Sequence, residues 1–279
     1  MPELPEVETI RQRLIKGFGD RPSILNQTIS KTSLLLGSTL ANANPDYFQG
    51  IIPGNRVVSV GRRAKFLILN LTETSLVFHL RMSGDLFMES ISQPDDHPYR
   101  YRQHDRLRLD FNSGWRLVFN DIRKFGRVWL TTSPESLFSD LGPEPFDENL
   151  TPELFHERLK AKSRLLKPLL LDQSFIAGVG NIYSDEALFL AKLHPLRKSD
   201  SLSLEDAGRL LDAIRAVLSK GIDQKGASID WVYRGGEFQN YFQVYQQKDQ
   251  PCPLCGTPIQ KTKVGQRGTH FCPNCQKYS

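Results

Sequence analysis

The sequence predicts an α+β protein of several domains, and three observations carry that expectation. The residues up to 132 are dominated by short runs rich in β-forming side chains. Residues 133–245 read mainly as amphipathic helices. All four cysteines fall after residue 250, as two Cys-x-x-Cys pairs. With 279 residues, 39% of them hydrophobic, the chain can hold two moderate domains or one domain with appendages, and can fill a core. The formal charge of +5 favours a polyanionic partner, a weak signal alone because many basic proteins bind no nucleic acid. No apolar run approaches the length of a membrane span. The opening MPELPEVE is acidic and holds two prolines, unlike a signal peptide, so a cytoplasmic protein is expected.

The first helix is readable from its ends. Pro5 suits a first turn, Glu6 and Glu8 sit near the positive end of the helix dipole, Val7, Ile10 and Leu14 form one apolar stripe, and Gly17 marks a stop. Strands are expected at Arg56–Val60, Phe66–Leu71, Ser75–Leu80, Arg106–Phe111, Arg116–Asn120 and Gly126–Leu130, with Asn112-Ser113-Gly114 as a hairpin turn. A proline-bearing linker, Ser133 to Pro145, leads into the helical half. There Thr151-Pro152-Glu153 starts one helix, and Ser203 with Asp206 resembles a capping box for another that ends at Gly221. Gly226 to Glu237 holds three glycines without a period and reads as a mobile loop.

Cys252-Pro-Leu-Cys255 and Cys272-Pro-Asn-Cys275 are two knuckles separated by a hairpin-length stretch. Each knuckle supplies two thiolates from one turn, and four thiolates suit a closed tetrahedral zinc that shapes the chain and does no catalysis. Between the knuckles lie Lys261, Lys263, Arg267 and His270. They read equally as a solvated basic hairpin and as a β-ribbon laid on phosphate.

The second residue is small, so removal of Met1 is expected, and it would expose the secondary amine of Pro2. An α-amino group has a pKa of roughly 8, leaving a usable neutral fraction near pH 7. Such an amine attacking the anomeric carbon of a sugar forms a charged iminium, which labilises the neighbouring C–H bond and lets the 3′ phosphate depart. Glu3 beside it could shuttle protons, and Glu6 one turn on could orient it or a water. A Pro-Glu start ahead of a helix is also ordinary, and on the residues alone that plainer reading stands beside the chemical one.

The stretch Met1-Pro2-Glu3-Leu4-Pro5-Glu6-Val7-Glu8-Thr9 resembles the opening of the formamidopyrimidine-DNA glycosylase family, the bacterial 8-oxoguanine DNA glycosylases. The likeness recurs along nearly the whole chain. Arg62-Arg63-Ala64-Lys65-Phe66 resembles the family's basic strand segment. His79-Leu80-Arg81-Met82-Ser83-Gly84 and Asn120-Asp121-Ile122-Arg123-Lys124-Phe125-Gly126 resemble its two DNA-probing loops. Gly178-Val179-Gly180-Asn181-Ile182-Tyr183 resembles its helix–two-turns–helix motif, and the knuckles around Gln266-Arg267-Gly268 resemble its zinc finger.

The resemblance implies an N-terminal β-sandwich with flanking helices (1–132), a helical helix–two-turns–helix domain (133–245) and a four-cysteine zinc finger (246–279) holding one structural zinc. It implies a bifunctional glycosylase and AP lyase of base excision repair. Such an enzyme excises 8-oxoguanine and formamidopyrimidines from duplex DNA, here as a nucleoid-associated monomer with no obligate protein partner. Pro2 takes the place of the Schiff-base nucleophile, Glu3 of the general acid, Lys65 of the proton donor in β-elimination, and Arg267 of the phosphate-gripping arginine that assists δ-elimination. Met82, Arg123 and Phe125 match the wedge that fills the space of an extruded nucleotide. His104, Lys162 and Asn181 match phosphate-holding positions, although Asn181 also reads as a plain helix cap. Ser83 departs from relatives that carry a carboxylate there, and the Gly226–Glu237 loop lies where the family closes over the flipped base. Two rivals remain. One is an endonuclease VIII-like glycosylase for oxidised pyrimidines, whose opening typically has glycine at the place of Leu4 and which lacks the Arg-x-Phe wedge. The other is a non-catalytic damaged-DNA-binding protein, which would not need Pro2 and Glu3.

Overall fold

The computed structural model describes residues 2–92, 102–228 and 235–278. The chain divides into two units, Met1–Ser139 with Ala227–Gly236 and Asp140–Gly226 with Glu237–Ser279.

The first unit begins with α1 (Leu4–Lys16). Val7, Ile10 and Leu14 are buried along one face, and Gly17, at φ +78°, leaves the helix through the left-handed region that glycine enters freely. Eight strands follow: β1 (Ile29–Leu34), β2 (Val57–Arg63), β3 (Phe66–Leu71), β4 (Ser75–His79), β5 (Gly84–Ser90), β6 (Asp105–Phe111), β7 (Trp115–Asp121) and β8 (Arg127–Thr131). A short helix, α2 (Pro45–Ile51), is capped by Asn44, whose Oδ1 accepts the Asp46 N–H at 2.9 Å. The strands form two antiparallel sheets, in the orders β1-β6-β7-β5 and β2-β3-β4-β8.

Both sheets give their apolar faces to one core. Ile29, Leu86, Leu109 and Phe119 from one sheet, and Val60, Leu69, Leu76 and Phe78 from the other, join the stripe of α1. Phe78 meets Phe119 edge-on across the layers at 5.8 Å. This is the β-sandwich expected from the resemblance. The sequence reading omits β1, β5 and α2. In β1 (Ile-Ser-Lys-Thr-Ser-Leu) only Ile29 and Thr32 are buried, and β5 is buried at nearly every position, so neither alternates.

The second unit holds α3 (Pro152–Lys160), α4 (Leu166–Leu171), α5 (Asn181–Leu190) and α6 (Leu204–Asp223), then the hairpin β9 (Gln260–Val264) and β10 (Arg267–Phe271). Thr151 caps α3 through its hydroxyl on Leu154 N–H at 3.2 Å, and Ser203 caps α6 through Asp206 N–H at 3.1 Å. Gly221 does not end α6; it is buried in the last turn, and the helix runs on to Asp223. α5 is buried from Ile182 to Phe189 and packs against α4, α6 and β10. Among the described residues no helix is long and apolar enough to cross a membrane.

Candidate functional site

Helix α1 brings the chain start into a buried carboxylate cluster. Glu3 and Glu6 are 1% and 2% exposed. Glu6 Oε2 accepts the Glu3 N–H at 2.7 Å, and its Oε1 accepts the Ala227 N–H at 2.8 Å. One carboxylate therefore holds both the residue after Pro2 and one root of the glycine-rich loop. The other root is held by Arg13, whose guanidinium donates to the Gly235 carbonyl at 3.0 Å, and by Ser228 Oγ, which accepts the Gly236 N–H at 2.8 Å. Residues 229–234 of that loop, and Met1 whose removal the sequence predicts, lie outside the described residues.

Lys65 occupies the tight turn between β2 and β3, where Arg63 pairs with Phe66, and it is buried to 5% exposure. Its charge is felt at His79. Burial first, then the charges of Arg81 and Lys65, push the imidazole down to about 3. His79 Nδ1 accepts the Arg81 N–H at 3.0 Å, as a neutral ring does.

Met82, Arg123 and Phe125 are all exposed, Met82 by 38% and Phe125 by 47%, so neither apolar side chain belongs to the core. The Arg123 guanidinium lies 5.1 Å from the Phe125 ring centre. Beneath them the two loops are knotted by Asp121. Its carboxylate accepts the Ser83 hydroxyl, the Arg123 N–H at 3.2 Å and the Gly126 N–H at 2.7 Å. Ser83 is thus a buried partner of the loop that carries Arg123 and Phe125. A Cβ on Gly126 would stand 2.4 Å from the Phe119 ring, so only glycine lets the chain pass there. His104 is half-buried, with Nδ1 3.5 Å from Arg106; burial and then the Arg106 charge lower its pKa below the usual histidine value.

In the second unit Asn181 is the first residue of α5, and Gly180, not Asn181, occupies the cap position. Its side-chain amide donates to the Gly268 carbonyl at 3.2 Å, tying the helix start to the strand that carries Arg267. A buried ion pair lies behind both. Lys167 Nζ, fully buried, donates to Asp185 at 2.5 Å, Ser184 Oγ at 2.7 Å and the Asn181 carbonyl at 2.9 Å. The second oxygen of Asp185 accepts the His270 N–H at 2.9 Å and meets its Nδ1 at 3.1 Å. His270 is therefore an interior residue, and the expectation that it lies on a basic hairpin face is corrected. Lys261, Lys263 and Arg267 are exposed. Gly265 and Gln266 both take positive φ, +53° and +63°, as a two-residue hairpin turn requires. A Cβ on Gly265 would come within 2.8 Å of Pro168, so the tip seats against α4. Lys162 is exposed just after α3, with its carbonyl accepting the Ser199 hydroxyl.

The four cysteine sulfurs all lie within 4.8 Å of one another, with Cys252 to Cys275 at 3.9 Å and Cys255 to Cys272 at 3.5 Å. A zinc ion bound at Zn–S distances of about 2.3 Å sets tetrahedral sulfurs roughly 3.8 Å apart, so the set fits one structural zinc with no open position. The sequence named Met82, Arg123 and Phe125 as wedge candidates, His104, Lys162 and Asn181 as candidate phosphate holders, and the cysteines. It missed Asp121, Lys167 and Asp185 as supports, since only the fold brings their partners together.

Comparison with known proteins agrees along the whole chain. Residues 1–128 match the model of the formamidopyrimidine-DNA glycosylase N-terminal domain, 141–232 that of the same family's H2TH domain, and 249–277 that of a zinc finger found in FPG and IleRS. A formamidopyrimidine-DNA glycosylase of Chloroflexus aurantiacus is 42% identical over 283 residues, covering 99% of this chain and 98% of that one. Two solved structures each cover 99% of this chain and 100% of their own at a TM-score of 0.88. One is MutM with DNA containing carbocyclic 8-oxo-G, 36% identical, and the other is Lactococcus lactis formamidopyrimidine-DNA glycosylase bound non-covalently to DNA with an AP site, 35% identical. A likeness of this extent and identity makes the chain a member of the formamidopyrimidine-DNA glycosylase family.

Proposed function

We propose that this protein is a bifunctional DNA glycosylase and AP lyase of base excision repair, acting on oxidised purines, 8-oxoguanine and formamidopyrimidines, in duplex DNA. The observation that carries the reading is the Glu6 carboxylate. It locks the backbone beside Pro2 and the root of the glycine-rich loop into one buried cluster with Glu3. Once Met1 is removed, the Pro2 nitrogen attacks C1′ of the extruded nucleotide and the damaged base leaves as C1′ forms its new bond. Glu3 delivers a proton to the sugar ring oxygen or to the departing base. The iminium acidifies C2′–H. Loss of that proton expels the 3′ phosphate, and a second elimination expels the 5′ phosphate, leaving a one-nucleotide gap. Lys65 supplies the proton in the first elimination. Arg267 grips phosphate through its guanidinium fork and assists the second.

Flipping needs a replacement in the stack, and the exposed trio Met82, Arg123 and Phe125 supplies it, with Arg123 bonding the orphaned cytosine. His104, Lys162 and Asn181 hold phosphates, so affinity falls steeply with salt. The work divides into a catalytic sandwich (1–132), a helical DNA-binding part (133–245) and the zinc finger (246–279). The protein works on nucleoid DNA as a monomer. Duplexes carrying 8-oxoguanine or thymine glycol, treated with borohydride, test the reading. A covalent adduct on the purine lesion is expected. One formed chiefly on the pyrimidine would indicate the endonuclease VIII-like activity, and none a binding protein only. A mass spectrum of the intact chain reports whether Met1 is absent.

A further inference from the structure

We propose that Arg62 is a positioning residue for Lys65, a strut between helix α1 and the β2–β3 turn that fixes how Lys65 is presented to the reacting nucleotide. The inference rests on the reading of Lys65 given above. Arg62 belongs to a segment that reads as a basic strand, yet its side chain is only 13% exposed and is engaged at both ends. Nε donates to Glu8 Oε2 at 2.9 Å, and Nη1 donates to the Ala64 carbonyl at 3.1 Å.

Glu8 is a fixed post. Arg11 binds it with two donors, at 2.9 and 2.7 Å, and Gln12 with a third at 2.9 Å. Burial alone would raise its pKa, but the bonds from Arg11, Gln12 and Arg62 hold it down to about 2, so it stays ionised wherever the protein works.

The other end of the strut meets an unusual residue. Ala64 has φ +51° and is buried to 1% exposure. A side chain in the left-handed region is strained, and glycine would take the position freely. Its carbonyl belongs to the peptide that joins it to Lys65. A donor on that carbonyl opposes rotation back to the right-handed region, and such a rotation would redirect the Lys65 side chain. Helix α1 therefore positions three groups: Pro2 and Glu3 through its first turn, and Lys65 through Glu8 and Arg62.

The test uses full-length, zinc-loaded protein and a duplex with one AP site. Nicking rate and borohydride-trapped adduct are measured for Arg62→Gln, Lys65→Ala, the double variant and Arg11→Gln. Arg11→Gln removes a Glu8 partner but leaves the strut. Arg62→Gln should slow nicking at least tenfold with adduct formation within twofold of the parent. The double variant should nick no more slowly than Lys65→Ala, and Arg11→Gln should stay within twofold of the parent. Glu8→Gln loosens the post with less risk to folding, and should show the same selective slowing to a smaller degree. Additive losses in the double variant, or parental nicking by Arg62→Gln and Glu8→Gln, overturn the proposal. Parental nicking by Lys65→Ala instead removes the role of Lys65 on which it stands.

Discussion

The loops that carry Met82, Arg123 and Phe125 in the first unit and the zinc-knuckle hairpin of the second are both exposed tips resting on one buried aspartate, but the two aspartates are held differently. Asp121 is surrounded by neutral donors: a serine hydroxyl and two backbone N–H groups. Asp185 faces a buried ammonium on one oxygen and a histidine on the other. A hydroxyl and two loop amides suffice where a carboxylate ties the loops at the ends of two paired strands, β5 and β7. Where it must join separate elements, α4, α5 and β10, a charged partner with reach is used. The first arrangement fixes a local shape and the second fixes docking, so damage should be local in one case and spread through the unit in the other.

The sharpest way to break this contrast is Lys167→Met. It strands the Asp185 carboxylate in the interior and should cost about 3–5 kcal/mol. Denaturant titration would show it, with a restored midpoint expected when Asp185→Leu is added. A loss of comparable size should appear with acid at the foot of the loop that carries Met82. His79 is held neutral in the folded state, with a pKa lowered from 6.5 to about 3, whereas the unfolded chain takes up its proton at 6.5. Stability is complete above that pH and falls as pH drops through the window between the two values, by roughly 1.4 kcal/mol per unit. A series of Tm measurements from pH 7 to 4 tests this, and His79→Gln should flatten the slope. Asp121→Asn keeps the shape but weakens charge-assisted bonds; a loss of about 1.5 kcal/mol is expected. Impaired discrimination of the opposite base should accompany it, read as the excision ratio for lesions facing cytosine and adenine. The smallest stability effect belongs to Arg123→Ala, within about 0.5 kcal/mol because the side chain is exposed. The same excision ratio should nevertheless fall. A variant that still preferred cytosine as strongly as the parent would remove Arg123 from that role.

The contrast also explains what was legible in the sequence. Helix α1 announces itself through Pro5, its apolar stripe and Gly17, all local features. The cysteine knuckles carry their geometry in their spacing. Strand β5 starts with glycine and is buried on both faces, so no period marks it. Asp121 reads as one more acid in a loop until Ser83, 38 positions earlier, is folded against it. Asp185 and His270 are separated by 85 positions, and nothing in a basic hairpin announces that its histidine turns inward. The exposed candidates Met82, Arg123, Phe125 and Arg267 were named by resemblance. Their supports were not, because a support is defined by its partner.

The knot beneath Met82, Arg123 and Phe125 has a mechanical consequence. A tip whose two loops share one carboxylate, and whose Gly126 has no room even for a methyl group, arrives already shaped. Distortion on contact then falls on the softer body, the double helix. Lesions in steps that unstack readily should be engaged faster than the same lesions in stiff tracts, with no contact to the flanking bases needed for the preference.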